Sequence, residues 1–335
     1  MRAVFRCDAT VSIGFGHLSR CIALAEALRL SGVRSTFAGL YDTAAKEQIV
    51  AAGFDVIDCA KPVNTEAAER ELAGIEASFV VIDSYRIDEG YLFGLKSMGL
   101  AVVVIDDFCK LADYPCDVVL NFTWEGPELG YPQGPSFILG HKNLLARRKL
   151  VERRQKSIER DRDGKVRNLL VAIGGSDPKG LTLRIVRLLN RHDLDLCVHA
   201  ITNENPELES ELKRFRAGSC IVPRQPDLSQ QLVWADAAIT GGGLIKYESA
   251  FMGVPAAAIA QNEGQDGETK VFSRAGLVFD LGLADSVTDD ELAEALHTFC
   301  SDADLRANMT KQMRGSFPAD PSANAATSIL EALRR

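Results

Sequence analysis

Short runs of aliphatic and β-branched residues alternate with longer helix-patterned segments, and the alternation occurs twice along the chain. Strands are predicted at 2–7, 35–39, 55–59, 79–83, 101–106 and 118–121, and again at 168–173, 196–201, 219–222, 237–240, 256–260 and 278–281. A strand–helix rhythm of this kind builds a parallel sheet covered by helices on both faces. Leu18, Cys21, Ile22, Ala25 and Leu28 recur at helical spacing after the first strand, so one face of that helix packs on the sheet, and Gly32 stops it. Residues 147–165 are almost wholly polar and carry no strand pattern, which predicts a domain boundary. A chain of 335 residues exceeds one typical core of about 150, so two domains are expected, 1–148 and 165–335. Both are expected to be Rossmann-like α/β domains. The amphipathic segment 322–335 is a candidate to pack back on the first.

Composition narrows the partners. Thirty-eight basic against 46 acidic residues leave a net charge of −8 with the signs interspersed, so nucleic acid is not expected. Eight scattered cysteines form no CxxC pair, which argues against a zinc site or a disulfide framework and for a cytoplasmic location. No stretch approaches the roughly 18 to 20 apolar residues that span a bilayer, so no membrane association is expected. No metal or other cofactor is expected, and the oligomeric state is expected to be a monomer or a weak homo-oligomer.

Three glycine-rich loops carry the candidate chemistry, each following a predicted strand and opening a helix. The first, from Asp8 to His17, contains Gly14 and Gly16. It has neither the GxGxxG spacing of dinucleotide sites nor a Walker lysine. His17 stands where ligands of open α/β sheets gather, and its position is as compatible with a backbone-satisfied histidine as with a functional one. The second loop runs Gly174-Gly175-Ser176-Asp177-Pro178-Lys179-Gly180, and the third runs Gly241-Gly242-Gly243-Leu244 with Glu248 about a turn further on. Backbone N–H groups at such turns suit phosphate, and Glu248 is a candidate for ribose hydroxyls. Ile221, on the predicted strand at 219–222, is a further candidate substrate contact. Among the other histidines, His199 sits in an apolar run and reads as core, while His192 and His297 read as structural. Asp83, Asp106 and Asp107 at strand ends could suggest Mg²⁺, but polar strand termini explain them more simply.

The segments RCDATVSIGFGHLSRCIALAEAL, VIDSYRID, VIDDF, CDVVLNFT and LGHKNLLARRKLV together resemble the PseG family, the UDP-2,4-diacetamido-2,4,6-trideoxy-β-L-altropyranose hydrolases of pseudaminic acid synthesis. The likeness covers essentially the whole chain. It implies a GT-B-like pair of Rossmann domains facing across a cleft, similar to the glycosyltransferase that makes lipid II, with UDP held mainly by the second. It also implies metal-independent hydrolysis of a UDP-sugar at the anomeric carbon, with inversion, for which the histidine closing a G-x-G-H motif is the base. Here that residue is His17. A family asparagine after the last nucleotide-binding strand has its nearest match in Asn262, and either Asn262 or Gln265 takes the second role. Where relatives read Ser-x-x-x-Glu, this chain has three glycines and Lys246-Tyr247 before Glu248, a departure that bears on sugar preference rather than nucleotide binding.

A histidine of ordinary pKa near 6.5 can accept a proton from attacking water, typically contributing about a hundred- to ten-thousandfold. On this reading Asp8 orients His17 or contacts sugar, and Tyr85 and Asn262 contact sugar or water. A glycosyltransferase of the same architecture, or a non-catalytic module that binds the nucleotide, would present the same loops.

Overall fold

The computed structural model describes residues 1–65, 68–162, 164–174 and 177–334. The chain divides into two compact units, one of residues 1–148 with 318–335 and one of residues 149–317.

The first unit opens with β1 (Arg2–Cys7), α1 (Gly16–Leu30), β2 (Arg34–Gly39), α2 (Thr43–Ala51) and β3 (Asp55–Asp58). It continues with β4 (Phe79–Asp83), α3 (Glu89–Ser97), β5 (Ala101–Ile105), β6 (Val118–Asn121) and β7 (Ser136–Leu139). The seven strands are parallel in the order β3-β2-β1-β4-β5-β6-β7. Every residue of the central strand β4 is buried, as a strand covered on both faces requires, whereas the edge strand β3 is part exposed. Val4, Val80, Ile82, Val102 and Val104 form one core cluster with Leu92 and Leu95 of α3. β7 has no counterpart among the predicted strands. It is a four-residue run behind a Gly- and Pro-rich stretch, and its pairing with β6 defines it more than its own pattern does.

The second unit contains α4 (Arg148–Ile158), β8 (Asn168–Ala172), α5 (Leu181–Leu189), β9 (Cys197–Ile201), α6 (Pro206–Leu212) and β10 (Cys220–Val222). Then come α7 (Ser229–Trp234), β11 (Ala237–Gly241), α8 (Leu244–Phe251), β12 (Ala256–Ala260), α9 (Glu263–Arg274), β13 (Phe279–Leu283), α10 (Asp289–Ser301) and α11 (Ala303–Ser316). Its six parallel strands run β10-β9-β8-β11-β12-β13.

The second unit begins at 149 rather than 165 and ends at 317 rather than 335. The polar run at 147–165 is largely helix: α4 buries Leu150, Arg154 and Ser157, and its arginines are anchors rather than solvent-exposed charges. Arg154 Nε donates to the Phe251 carbonyl at 2.8 Å and Nη2 to the Phe317 carbonyl at 3.1 Å. Beyond the helix, Arg162 Nε and Nη2 donate to the Ala235 and Leu232 carbonyls at 3.0 and 3.1 Å. Such arginines satisfy carbonyls that a helix or strand end leaves unpaired. The closing helix α12 (Pro321–Ala332) belongs to the first unit. It packs on α1, Ser322 Oγ donates to the Ala146 carbonyl at 2.8 Å, and Asp320 pairs with Arg148 at 2.9 Å. Among the described residues no helix is long and apolar enough to cross a membrane.

Candidate active site

In the first sheet the chain leaves β1 toward β2 on one side and reaches β4 on the other, so the gap between the carboxyl ends of β1 and β4 is the point where the strand order reverses. Open α/β sheets bind ligands at this point. His17 enters it from the first turn of α1, and Asp83 enters it as the last residue of β4. The His17 Nδ1 lies 2.6 Å from Asp83 Oδ1, with the Asp83 side chain wholly buried. Arg20, one turn further along α1, grips Asp83 with two bonds, Nε to Oδ2 at 2.6 Å and Nη2 to Oδ1 at 2.7 Å. Its Nη1 reaches both oxygens of Asp107, at 2.8 and 2.7 Å.

Burial by itself would raise the Asp83 carboxyl pKa, but Arg20 and then His17 outweigh it and hold the group well below the ordinary carboxylate range. Burial likewise works against the Arg20 charge, and Asp107 and Asp83 more than restore it. A fixed carboxylate at Nδ1 makes that nitrogen the donor and leaves Nε2 as the acceptor. Burial raises the Cys21 thiol far above its usual range, which keeps it a donor facing Asp83 Oδ2 at 3.6 Å.

Tyr85 completes the group. Its hydroxyl donates to Asp107 Oδ2 at 2.7 Å, and its ring meets the His17 ring edge-on at 4.5 Å while remaining 55% exposed. Of the residues singled out from sequence, the structure therefore brings His17 and Tyr85 together. Gly14 lies in the preceding turn at φ 89°, and a side chain at Gly16 would meet nothing within 4 Å.

Asp8 does not join them. It is ion-paired with buried Arg6, and its carboxylate accepts the backbone N–H groups of Leu40 at 3.0 Å and Val63 at 2.7 Å. The partner of His17 is instead Asp83, which is distant in sequence but stands opposite Cys7, the last residue of β1, across the β1–β4 pairing. Asp83 and Asp107 are legible in the sequence as strand-end acids. Arg20 escapes a reading for catalytic residue types: it lies off the Leu18–Cys21–Ile22–Ala25–Leu28 stripe and is nevertheless buried. Asp106 serves the neighbouring loop, where its Oδ2 accepts Tyr131 Oη at 2.7 Å, Tyr114 Oη at 2.9 Å and the Cys109 N–H at 2.8 Å. Among the described residues no group of three or more His, Cys, Asp or Glu side chains is placed to hold a metal ion.

The second sheet reverses between β8 and β11, and the second and third glycine loops leave those two strands. The backbones touch there: a β-carbon on Gly241 would lie 2.1 Å from the Ile173 carbonyl oxygen. Gly174 has φ 137°, while Gly175 and Ser176 lie outside the described residues. Asp177 caps α5 by accepting the N–H groups of Leu181 and Thr182, both at 2.8 Å. Lys179 is drawn to the Gln261 carbonyl at 2.8 Å and to Asp285.

Gly243 is the N-cap of α8 and, as a glycine, brings no side-chain cap of its own to the first N–H groups of the helix. Gln265 of α9 lies over the turn, its Cβ 2.9 Å from where a Gly242 β-carbon would stand. Asn262 caps α9 by accepting the Gln265 N–H at 3.0 Å, a structural duty beside any catalytic one. Glu248 is buried on α8, and Ile221 lies mid-strand on β10, the outermost strand, two places from β8 and away from the loops. The Lys246-Tyr247 departure faces inward: both side chains are buried and both bond to Glu268 at 2.7 Å. The remaining imidazoles stack on other rings, His199 on Trp234 at 3.6 Å, His192 on His297 at 4.6 Å and His141 on Trp124 at 4.0 Å. His199 is half-buried at β9 rather than a core residue, because its flat face is covered while its Nδ1 keeps Gln231 at 2.9 Å.

No protein-family model matches the chain. It is 25% identical over 281 residues to an uncharacterized protein of Methanocaldococcus jannaschii, a match that covers 79% of this chain and 57% of that protein. It is 28% identical over 185 residues to the spore coat polysaccharide biosynthesis protein SpsG of Bacillus subtilis, covering 53% of this chain and 52% of that protein. The chain thus spans little more than half the length of the curated relatives it matches. Among solved structures, MurG of Acinetobacter baumannii superposes with a TM-score of 0.69 at 15% identity, covering 100% of this chain and 99% of that one. The spinosyn forosaminyltransferase SpnP gives 0.64 at 13% identity over 100% of both chains, and the kitacinnamycin glycotransferase gives 0.62 at 15%, covering 99% and 98%. The two parallel-sheet α/β units therefore constitute the GT-B fold shared with these solved structures.

Proposed function

We propose that the chain hydrolyses a UDP-linked amino sugar at the anomeric carbon, in the manner of the PseG-type hydrolases its sequence resembles. The observation that carries this reading is the His17–Asp83–Arg20 arrangement at the first switch point. With Nδ1 committed to a buried carboxylate, Nε2 is the acceptor, which is the form a general base requires. Water attacks the anomeric carbon, its proton passes to Nε2, the bond from that carbon to the β-phosphate oxygen breaks, and the bonding electrons leave with UDP. Tyr85, exposed beside the imidazole, contacts sugar or the attacking water. The glycine turns of the second unit, with Gly174, Gly242, Gly243 and Leu244, supply N–H groups to the diphosphate, and the sheet-switch position of both loops supports that role. Glu248 and Gln265 remain candidates for ribose and sugar, and no bound metal is required. The spore-coat polysaccharide role named for the Bacillus relative agrees with a sugar-biosynthetic substrate.

The test is a panel of UDP-sugars followed by mass spectrometry, with free sugar and UDP as the expected products and with activity unaffected by EDTA. His17→Asn is expected to abolish turnover while leaving UDP affinity intact; undiminished turnover would remove His17 from the mechanism. A transferase reading is favoured by two of the similar solved structures, which are named as a glycotransferase and a forosaminyltransferase. It predicts slow release of sugar that accelerates when an acceptor is added.

A further inference from the structure

Lys246 is wholly buried, yet the proposed hydrolysis does not use it. An ammonium taken out of water is costly unless its donors are placed, so such a residue needs specific partners. Two bonds supply them. The Lys246 Nζ donates to the Gly242 carbonyl and, at 2.7 Å, to Glu268 Oε2. Tyr247 donates from the adjoining position to Glu268 Oε1 at 2.7 Å, which pins the carboxylate that pins the lysine. The clamp thus joins the glycine turn to α9, the helix that carries Gln265 across the same turn.

The planar trans peptide converts this into a directional device. The carbonyl of Gly242 and the N–H of Gly243 belong to one peptide unit and point in opposite directions. Holding the carbonyl inward on Lys246 therefore turns the Gly243 N–H away from it, at the start of α8, where the atom nearest a Gly243 β-carbon would be Gln265 Nε2 at 3.8 Å. We propose that Lys246 is the positioning residue of this turn, fixing the Gly242–Gly243 peptide so that its N–H faces a phosphate oxygen of a nucleoside diphosphate. The proposal rests on the reading of the turn as a diphosphate site.

Calorimetric titration of the full chain with UDP and with uridine separates the two. Lys246→Met, similar in volume but without charge or donor, is expected to bind UDP at least about tenfold more weakly, the loss typical of one hydrogen bond to a charged group. Uridine affinity should not change, because the nucleoside lacks the diphosphate. Unchanged UDP affinity overturns the role of Lys246 alone, and an equal loss for UDP and uridine overturns it in favour of general collapse of the site. Failure of the unaltered chain to bind UDP overturns the diphosphate reading and the proposal with it. Should Lys246→Met not fold, the ¹⁵N-labelled unaltered chain carries the test: the Gly243 amide proton shifts downfield with UDP and not with uridine, and an unmoved resonance overturns the proposal.

Discussion

Asp83 is held by four donors from three residues of one helix, and its ionised state is part of what keeps the switch point of the first sheet assembled. A carboxyl whose folded pKa is depressed below its unfolded value near 3.9 contributes stability that is present above the unfolded value and lost as pH falls through the folded one. Asp83→Asn removes that contribution. The difference in unfolding free energy between the unaltered chain and the variant should therefore be constant from pH 7 to about pH 5 and narrow only at the acid end, below about pH 4. Urea titrations at several pH values read this directly, and a difference that narrowed near pH 6 would mean that another group carries the effect. Residue types are legible in the sequence here, and partnerships are not. Asp8 is close to His17 along the chain and Asp83 is 66 positions away, yet the parallel pairing of β1 with β4 makes the distant acid the partner and leaves Asp8 to tie down the N–H groups of Leu40 and Val63.

The glycines of the candidate loops differ in what constrains them. At Gly241 there is no room: a methyl group would enter the Ile173 carbonyl, and backbone cannot move aside without parting β11 from β8. Gly241→Ala should cost the second unit stability at or beyond the about 1–3 kcal/mol usual for overpacking. Gly16 has open space around it and is the first residue of α1, so Gly16→Ala should leave stability unchanged or raise it by up to about 1 kcal/mol. Differential scanning calorimetry of both variants checks the contrast, and equal destabilisation would refute it. The strands, helices and loops that carry these glycines are readable because burial on both faces of a parallel sheet writes a continuous apolar run. β7 is not, because four residues at a sheet edge carry too little pattern, and α4 is not, because its anchors are arginines whose charge hides their burial.

Across the whole molecule, residues 318–335 return to the first unit after the entire second unit has been built. Ala325, Ala326, Ile329 and Leu330 of α12 are buried, and α12 covers α1, the helix that carries His17 and Arg20. Burying side chains such as Ile329 and Leu330 is worth roughly 1.5–3 kcal/mol each. A chain ending at residue 317 should lose that stabilisation from the first unit alone. Hydrogen exchange is expected to rise in α1 and β1 while β11 and β12 keep their protection; uniform loss of protection in both units would show that the helix does not act locally.

Two parallel-sheet units, the places of most of their strands and the loops that follow them are all specified locally, because burial writes continuous apolar runs in the strands and a period of 3.6 residues in the helices. That Asp83 and Arg20 serve His17, that Lys246 faces inward, and that the last helix belongs with the first unit are consequences of the folded arrangement. They depend on strand order and on which faces meet, and no local period of the chain encodes contacts between segments so far apart.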